Sequence, residues 1–201
     1  MSVPDPLDAE RLRTAVAHQQ IGHCVLVLQE TTSTNDVVAQ ASPKPAEGLV
    51  VIAEQQTAGR GQYGRRWESV PGKGLWLSIL LRPRLSVSDS SRLTDFLAHA
   101  IAATVRQQFG LKPSIKPPND VYIGHRKIAG VLVEMRVDLP GSYCAIAGIG
   151  INVNHALADF PEELRDNAGS LAMATGRSID RTAFAIELLR NLEQRYAAAQ
   201  L

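Results

Sequence analysis

Cysteine is scarce in this chain. Only Cys24 and Cys144 occur among 201 residues, each in an aliphatic, strand-like setting. A disulfide framework does not fit that usage, and both read as small buried thiols. Histidine offers no metal site either: His18, His23, His99, His125 and His155 stand at no ligand spacing with each other or with the cysteines. Charge of one sign is also lacking. A formal net charge of +1 gives no general attraction to nucleic acid or to an acidic membrane. No apolar run reaches the roughly 20 residues that span a bilayer. The opening residues, Met1 to Pro6, have neither the basic nor the apolar region of a signal peptide, so a cytoplasmic protein is the expectation. Internal repeats and low-complexity segments are absent too.

What remains is an ordinary soluble composition, long enough for one substantial core. Its densest chemistry lies in Gly59-Arg60-Gly61-Gln62-Tyr63-Gly64-Arg65-Arg66-Trp67. Two apolar runs flank it, Leu49 to Ala53 and Leu75 to Leu81, and both read as buried strands. Glycine lets backbone N–H groups approach an anion, and arginine supplies permanent charge with fork-shaped donors. The local reading is a mobile loop closing over a negatively charged ligand; a merely solvated basic hairpin is the alternative. The spacing Gly59-x-Gly61-x-x-Gly64 matches a dinucleotide fingerprint, but the residues after it turn toward another strand rather than opening a helix. A glycine-rich kinase loop is excluded by the lack of His-Arg-Asp and Asp-Phe-Gly.

Along the chain, Asp8 to His18 reads as a short amphipathic helix and Cys24 to Leu28 as a buried strand. Ser33, Thr34 and Asn35 precede a small-residue helix, where they are either N-caps or ligand hydrogen-bonders. Pro43 to Glu47 reads as a loop into the strand that ends near Gln56, which is either a site residue or a surface one. Leu93, Phe96, Leu97, Ala100, Ile101, Thr104 and Val105 recur at helical spacing, with Gly110 as a stop. Lys116, Asn119 and Asp120 surround a proline-stiffened bend, and Gly124-His125 is a hairpin turn. Lys127 opens an otherwise apolar strand, where it is partly desolvated or a solvated edge residue. Gly148 and Gly150 leave a flat strip on another strand. A last helix is expected over Ile179 to Tyr196. Strands in series with a central and a C-terminal helix argue for an α+β fold with helices on one sheet face.

Taken together, Ser33-Thr34-Asn35, Gln56, the glycine–arginine loop ending in Trp67, Lys116-x-Pro118-Asn119-Asp120, Arg126-Lys127-x-Ala129-Gly130 and Gly148-x-Gly150-Ile151-Asn152 occur in one order. In that order they resemble the catalytic domain of biotin–protein ligases, over approximately Val25 to Tyr196. The resemblance implies a mixed, mostly antiparallel sheet with helices packed on one face, the class II synthetase-like fold of biotin and lipoate ligases. It implies a biotin–[acetyl-CoA-carboxylase] ligase working in two half-reactions. The biotin carboxylate attacks the α-phosphorus of ATP to give biotinyl-5′-AMP and pyrophosphate, and a lysine of a biotin carboxyl carrier domain then takes the biotinyl group and releases AMP.

By the same resemblance the catalytic residues are Lys127, Arg60, Lys116 and Asp120, with Lys127 between the biotin carboxylate and the α-phosphate. Biotin contacts fall to Ser33, Thr34, Asn35, Gln56, Gly59, Arg60, Gly61, Gln62, Trp67 and Lys127, with Gly130, Gly148 and Gly150 leaving room for the bicycle. Nucleotide contacts fall to Arg60, Arg65, Lys116, Asn119 and Asn152. Mg²⁺ would bridge the triphosphate with few protein ligands, and a homodimer is a family option. Two positions depart from the family pattern: Gln62 replaces a usual basic residue, implying looser retention of the adenylate, and Pro117 replaces an aromatic. Residues 1–22 are expected to be a short helical extension rather than a helix-turn-helix DNA-binding module, and 23–201 a catalytic domain without the family's common C-terminal SH3-like domain. A lipoate or octanoate ligase or transferase of the same fold, and a non-catalytic binder of biotin or biotinyl-AMP, are the alternatives.

Overall fold

The computed structural model describes residues 5–41, 45–139 and 142–199; the expected Pro43 to Glu47 loop lies partly outside them. Seven strands form one sheet: β1 (Cys24–Thr31), β2 (Leu49–Gln56), β3 (Gly74–Leu81), β4 (Pro113–Lys116), β5 (Asp120–Ile123), β6 (Arg126–Leu139) and β7 (Ser142–Asn152). Their order is β1-β2-β3-β7-β6-β5-β4. β1 and β2 run parallel, and every other neighbouring pair is antiparallel. The central β2 and β3 are covered on both faces, so they read in sequence as unbroken apolar runs rather than alternation. Gly124, at φ 60°, occupies the two-residue turn that joins β5 to β6.

Among the described residues five helices accompany the sheet: α1 (Ala9–Val16), α2 (Thr34–Gln40), α3 (Ser90–Phe109), α4 (Leu171–Thr175) and α5 (Arg181–Ala199). Asp8 caps α1 by accepting from the Arg11 N–H. Gly110 stops α3 at φ 65°, returning its N–H to the Arg106 carbonyl. Leu97 and Ile101 of α3, and Leu188 and Leu192 of α5, pack on Ile52, Leu77 and Ile149 of the sheet in one continuous core that also takes in Leu12 and Val16 of α1. The short α2 is the helix on the other face. Its Val38 covers Leu49, Val51, Leu80 and Ile146 in a second, smaller cluster. No helix among the described residues is long and apolar enough to cross a membrane.

One sequence expectation changes here. Cys24 is exposed rather than buried, because it opens β1, the edge strand, where one face has no cover; Cys144, in the covered β7, is buried. An ion pair unseen in the sequence lies inside the molecule. The fully buried Arg181 guanidinium pairs with Glu54 at 2.8 Å and donates to the carbonyls of Gly74 and Asp5. Glu54 also accepts from the Leu7 N–H, so α5, β2, β3 and the segment before α1 meet at one charged joint.

Candidate active site

A cavity of about 360 Å³ lies against one face of the sheet, lined by Leu77 of β3, Gly130 to Leu132 of β6 and Gly148 to Gly150 of β7, and is bordered by the glycine–arginine loop. Every residue expected at the site borders it except Gly59. Gly59 instead lies under the loop: a methyl there would come within 2.6 Å of the Trp67 carbonyl.

Glycine floors the cavity. Gly130 of β6 pairs across the ladder with Gly150 of β7, whose other neighbour is Trp76 of β3. All three cavity-lining glycines also have a side chain lying close against them. A methyl at Gly150 would fall 2.6 Å from the Trp67 indole, and one at Gly130 2.8 Å from it. At Gly148 the obstacle would be the Asn35 amide, at 2.5 Å. Trp67 thus lies on bare backbone, edge-on to Trp76 at 6.2 Å between centroids. Lys127 Nζ stands 5.2 Å from the same indole, within cation–π range.

The start of α2 supplies polar groups. Ser33 takes the N-cap position but makes no side-chain cap, so the capping reading fails for its hydroxyl. Gln56 Oε1 accepts from the Thr34 N–H at 2.8 Å and lies 3.1 Å from its hydroxyl. Ser78, fully buried in β3, sits 2.7 Å from Thr34 Oγ1 and 2.5 Å from Asn35 Oδ1. Asn35 donates onward to Glu134 at 2.8 Å. Thr34, Asn35 and Gln56 are therefore held in fixed orientation by a residue, Ser78, that reads in sequence as one more letter of an apolar strand.

The loop is folded on itself by Trp67 N–H to Gly59 O at 2.9 Å and Gly61 N–H to Arg65 O at 2.7 Å. Tyr63, at φ 59°, projects from its tip into solvent. Arg60 does not offer a free cation. Its guanidinium forms a bidentate pair with Asp36, at 2.9 and 2.7 Å, and lies 3.5 Å from Glu134. That hydrogen-bonded pairing holds the Asp36 carboxyl below its usual range, against the opposing effect of its partial burial. Arg66 pairs with Glu68 at 3.0 Å. Arg65 and Lys116 line the cavity with no carboxylate partner among the described residues.

At the far end Lys127 Nζ meets Asp120 at 2.7 Å. The β5–β6 register shifts between Val121 and Tyr122, so that Tyr122 faces Lys127 and Ile128 is left over, a bulge that aims the lysine. Asn119 reaches back to the Val131 carbonyl at 3.3 Å, and Asn152 donates to Gly169 O at 3.0 Å, so both amides also have structural partners.

The sequence reading missed the segment that returns over this end, residues 155–170. Phe160, Leu164, Asn167 and Ala168 of that segment line the cavity. Phe160 stacks on the buried His155 at 4.9 Å, and burial lowers the His155 pKa to about 4. Only the cap signal of Ser170, which accepts from the Met173 N–H, marked any of this in the sequence. The described residues hold no group of three or more His, Cys, Asp or Glu that could bind a metal.

A mixed sheet thus carries a glycine-floored cavity bordered by a carboxylate-paired lysine and by two cations, Arg65 and Lys116, that have no carboxylate partner among the described residues. Residues 27–154 match the model of the Biotin/lipoate A/B protein ligase family. A bifunctional ligase/repressor BirA of Bacillus spizizenii is 36% identical over 194 residues, which are 96% of this chain and 60% of that protein. A biotin–[acetyl-CoA-carboxylase] ligase of Mycobacterium tuberculosis is 34% identical, covering 94% of this chain and 71% of its own length. Among solved structures, a biotin protein ligase of Aquifex aeolicus in complex with biotin and ATP superimposes with a TM-score of 0.79 at 31% identity, over 88% of this chain and 72% of that one. The chain belongs to the Biotin/lipoate A/B protein ligase family, and it spans about three fifths of the BirA relatives that it matches.

Proposed function

We propose that this chain carries out ATP-dependent ligation of biotin to a lysine of a biotin carboxyl carrier domain, through biotinyl-5′-AMP. The observation that carries the reading is the placement of Lys127, held at 2.7 Å by Asp120 beside the indole that covers the glycine floor. In the first half-reaction two anions must meet, so a fixed cation between them lowers the barrier. Lys127 takes that role, bridging the biotin carboxylate and the α-phosphate. A carboxylate oxygen then forms its bond to the α-phosphorus as the bond to the bridging oxygen breaks and pyrophosphate leaves. In the second, the acceptor lysine, entering as a free amine, attacks the biotinyl carbonyl and AMP departs with the anhydride oxygen.

Thr34, Asn35 and Gln56 present oriented donors and acceptors suited to a ureido ring. Arg65 and Lys116 supply unpaired charge for the phosphates, with Mg²⁺ entering on the triphosphate as part of the substrate. The loop from Gly61 to Trp67 shields the mixed anhydride from water. The relatives' names and the complex with biotin and ATP support the same assignment.

The test is biotin-dependent release of pyrophosphate from ATP, with and without a biotin carboxyl carrier domain. Turnover that labels one lysine of the carrier is the expected result. Release without labelling would limit the chain to adenylation, and binding of biotin with no release would leave a binding protein.

A further inference from the structure

Lys127 is gripped through its backbone as well as its side chain. Its N–H donates to the Asn167 carbonyl at 2.7 Å, and its own carbonyl accepts from the Gly169 N–H at 2.9 Å. The pair forms a parallel bridge, Lys127 to Ala168, outside the seven strands. The residue therefore lies between Tyr122 of β5 on one side and the return segment on the other. That segment has little regular structure of its own, and one side chain ties it down. Arg126 Nη1 donates to the Ala168 carbonyl at 2.8 Å and to the Arg165 carbonyl, the latter at the end of the short 3₁₀ turn Glu162–Leu164. Arg165 in turn donates to the Phe160 carbonyl at 3.0 Å. Gly169 is bare where the Arg126 stem passes: a methyl there would lie 2.7 Å from Arg126 Cβ.

The geometry points to Arg126 as a positioning residue for Lys127, acting through the 165–169 backbone. This rests on the proposed role of Lys127, but the joint itself does not. Among the described residues Arg126 has no carboxylate partner, so its charge is directed at main-chain oxygens alone. Those oxygens belong to the same segment that fixes both backbone groups of the lysine and forms one wall of the cavity. A guanidinium there converts an irregular loop into a rigid partner strand for one residue. The cost of losing it falls on alignment of the Nζ group, because misplacing a reacting or charge-stabilising atom by about 1 Å is worth on the order of a hundredfold in rate.

The test uses Arg126→Ala, Arg126→Lys and Gly169→Ala in the full chain. Arg126→Ala removes the donor, Arg126→Lys keeps a cationic donor at the same position, and Gly169→Ala crowds the joint from its other side without altering charge. Two readouts need no substrate: hydrogen exchange of the amides of residues 127 and 169, and the rate at which Lys127 is acetylated by acetic anhydride, read by mass spectrometry. Both are expected to speed up severalfold in Arg126→Ala and Gly169→Ala and to return toward wild type in Arg126→Lys. In the pyrophosphate assay kcat is expected to fall on the order of tenfold to a hundredfold with little change in KM for biotin. Unchanged exchange and acetylation in Arg126→Ala would overturn the inference, as would a loss confined to KM. If the wild-type chain releases no pyrophosphate, the proposed function fails, while exchange and acetylation still decide the positioning of Lys127.

Discussion

Gly150→Ala separates a seated indole from an open slot. Gly150 lies in β7 between β3 and β6, and its φ is outside the left-handed region, so the backbone accepts alanine without strain. The added methyl would lie 2.6 Å from Trp67 Cε2, where ordinary contact needs 3.4–4 Å. Overpacking of that kind costs about 1–3 kcal/mol. Trp67 is half-buried on a loop while Gly150 is held by two neighbouring strands, so the ring gives way rather than the strand. If the ring is one wall of the ligand pocket, the same energy corresponds to about a 5- to 140-fold loss of ligand affinity. Fluorescence reads the displacement directly, since the chain has two tryptophans and the other, Trp76, is fully buried. Red-shifted emission together with weakened biotin binding is expected. Gly148→Ala is the control, because its methyl meets Asn35 at 2.5 Å instead of an indole. Unchanged emission and unchanged affinity in Gly150→Ala would refute the seated ring.

Lys127→Ala is expected to lower adenylate formation by about 10²–10³ with the thermal midpoint nearly unchanged, and a near-normal rate would remove Lys127 from the mechanism. Arg181→Met leaves Glu54 buried without its cation, so urea unfolding should show a loss of about 3–5 kcal/mol, while Arg181→Met with Glu54→Leu recovers much of it; an unaffected single variant would contradict the buried pair. His155, facing Asp159, Lys73 and Arg181, has its pKa lowered to about 4 by burial, below the unfolded value near 6.5. Between those values the unfolded chain takes up a proton that the folded chain does not. Stability therefore falls as pH drops through that window, by about 3 kcal/mol at its lower end. Unfolding of His155→Gln across the same range should show a flatter slope, and identical slopes would sink the assignment.

The features legible in the sequence are those encoded in adjacent letters. β2 and β3 announce themselves as apolar runs, α3 by its period and the stop at Gly110, and the loop by glycine and arginine together. Lys127 and Asp120 are marked by motif, although not by their mutual contact. What stayed hidden depends on distant partners. The Glu54–Arg181 pair spans 127 positions. Cys24 is exposed because its strand happens to be the sheet's edge, and the glycine strip is met by distant side chains, Gly150 by the Trp67 indole and Gly148 by the Asn35 amide. The return segment is invisible for another reason. It holds Lys127 through main-chain N–H and C=O groups, which every residue carries, so apart from the Ser170 cap no side-chain pattern points to that grip.

Charge pairing sorts the cations around the cavity by task. Two unit charges 4 Å apart interact by about 4 kcal/mol at an effective dielectric near 20, so a neighbouring carboxylate largely cancels what a cation offers an incoming anion. Arg60 has one carboxylate in a bidentate pair and a second at 3.5 Å. A phosphate approaching it would displace Asp36 or be repelled by it. In this structure Arg60 fastens the loop to α2 and β6 through Asp36 and Glu134. Lys127 has a single carboxylate and is partly exposed, so an anion can share it. Arg65 and Lys116 have none among the described residues and present uncompensated charge at the cavity's border. The arrangement runs from a neutralised anchor, through one shared lysine, to two open cations. Under the proposed function, such a gradient would align a ligand whose neutral ring sits against the Thr34–Asn35–Gln56 network and whose charge grows toward the phosphate end.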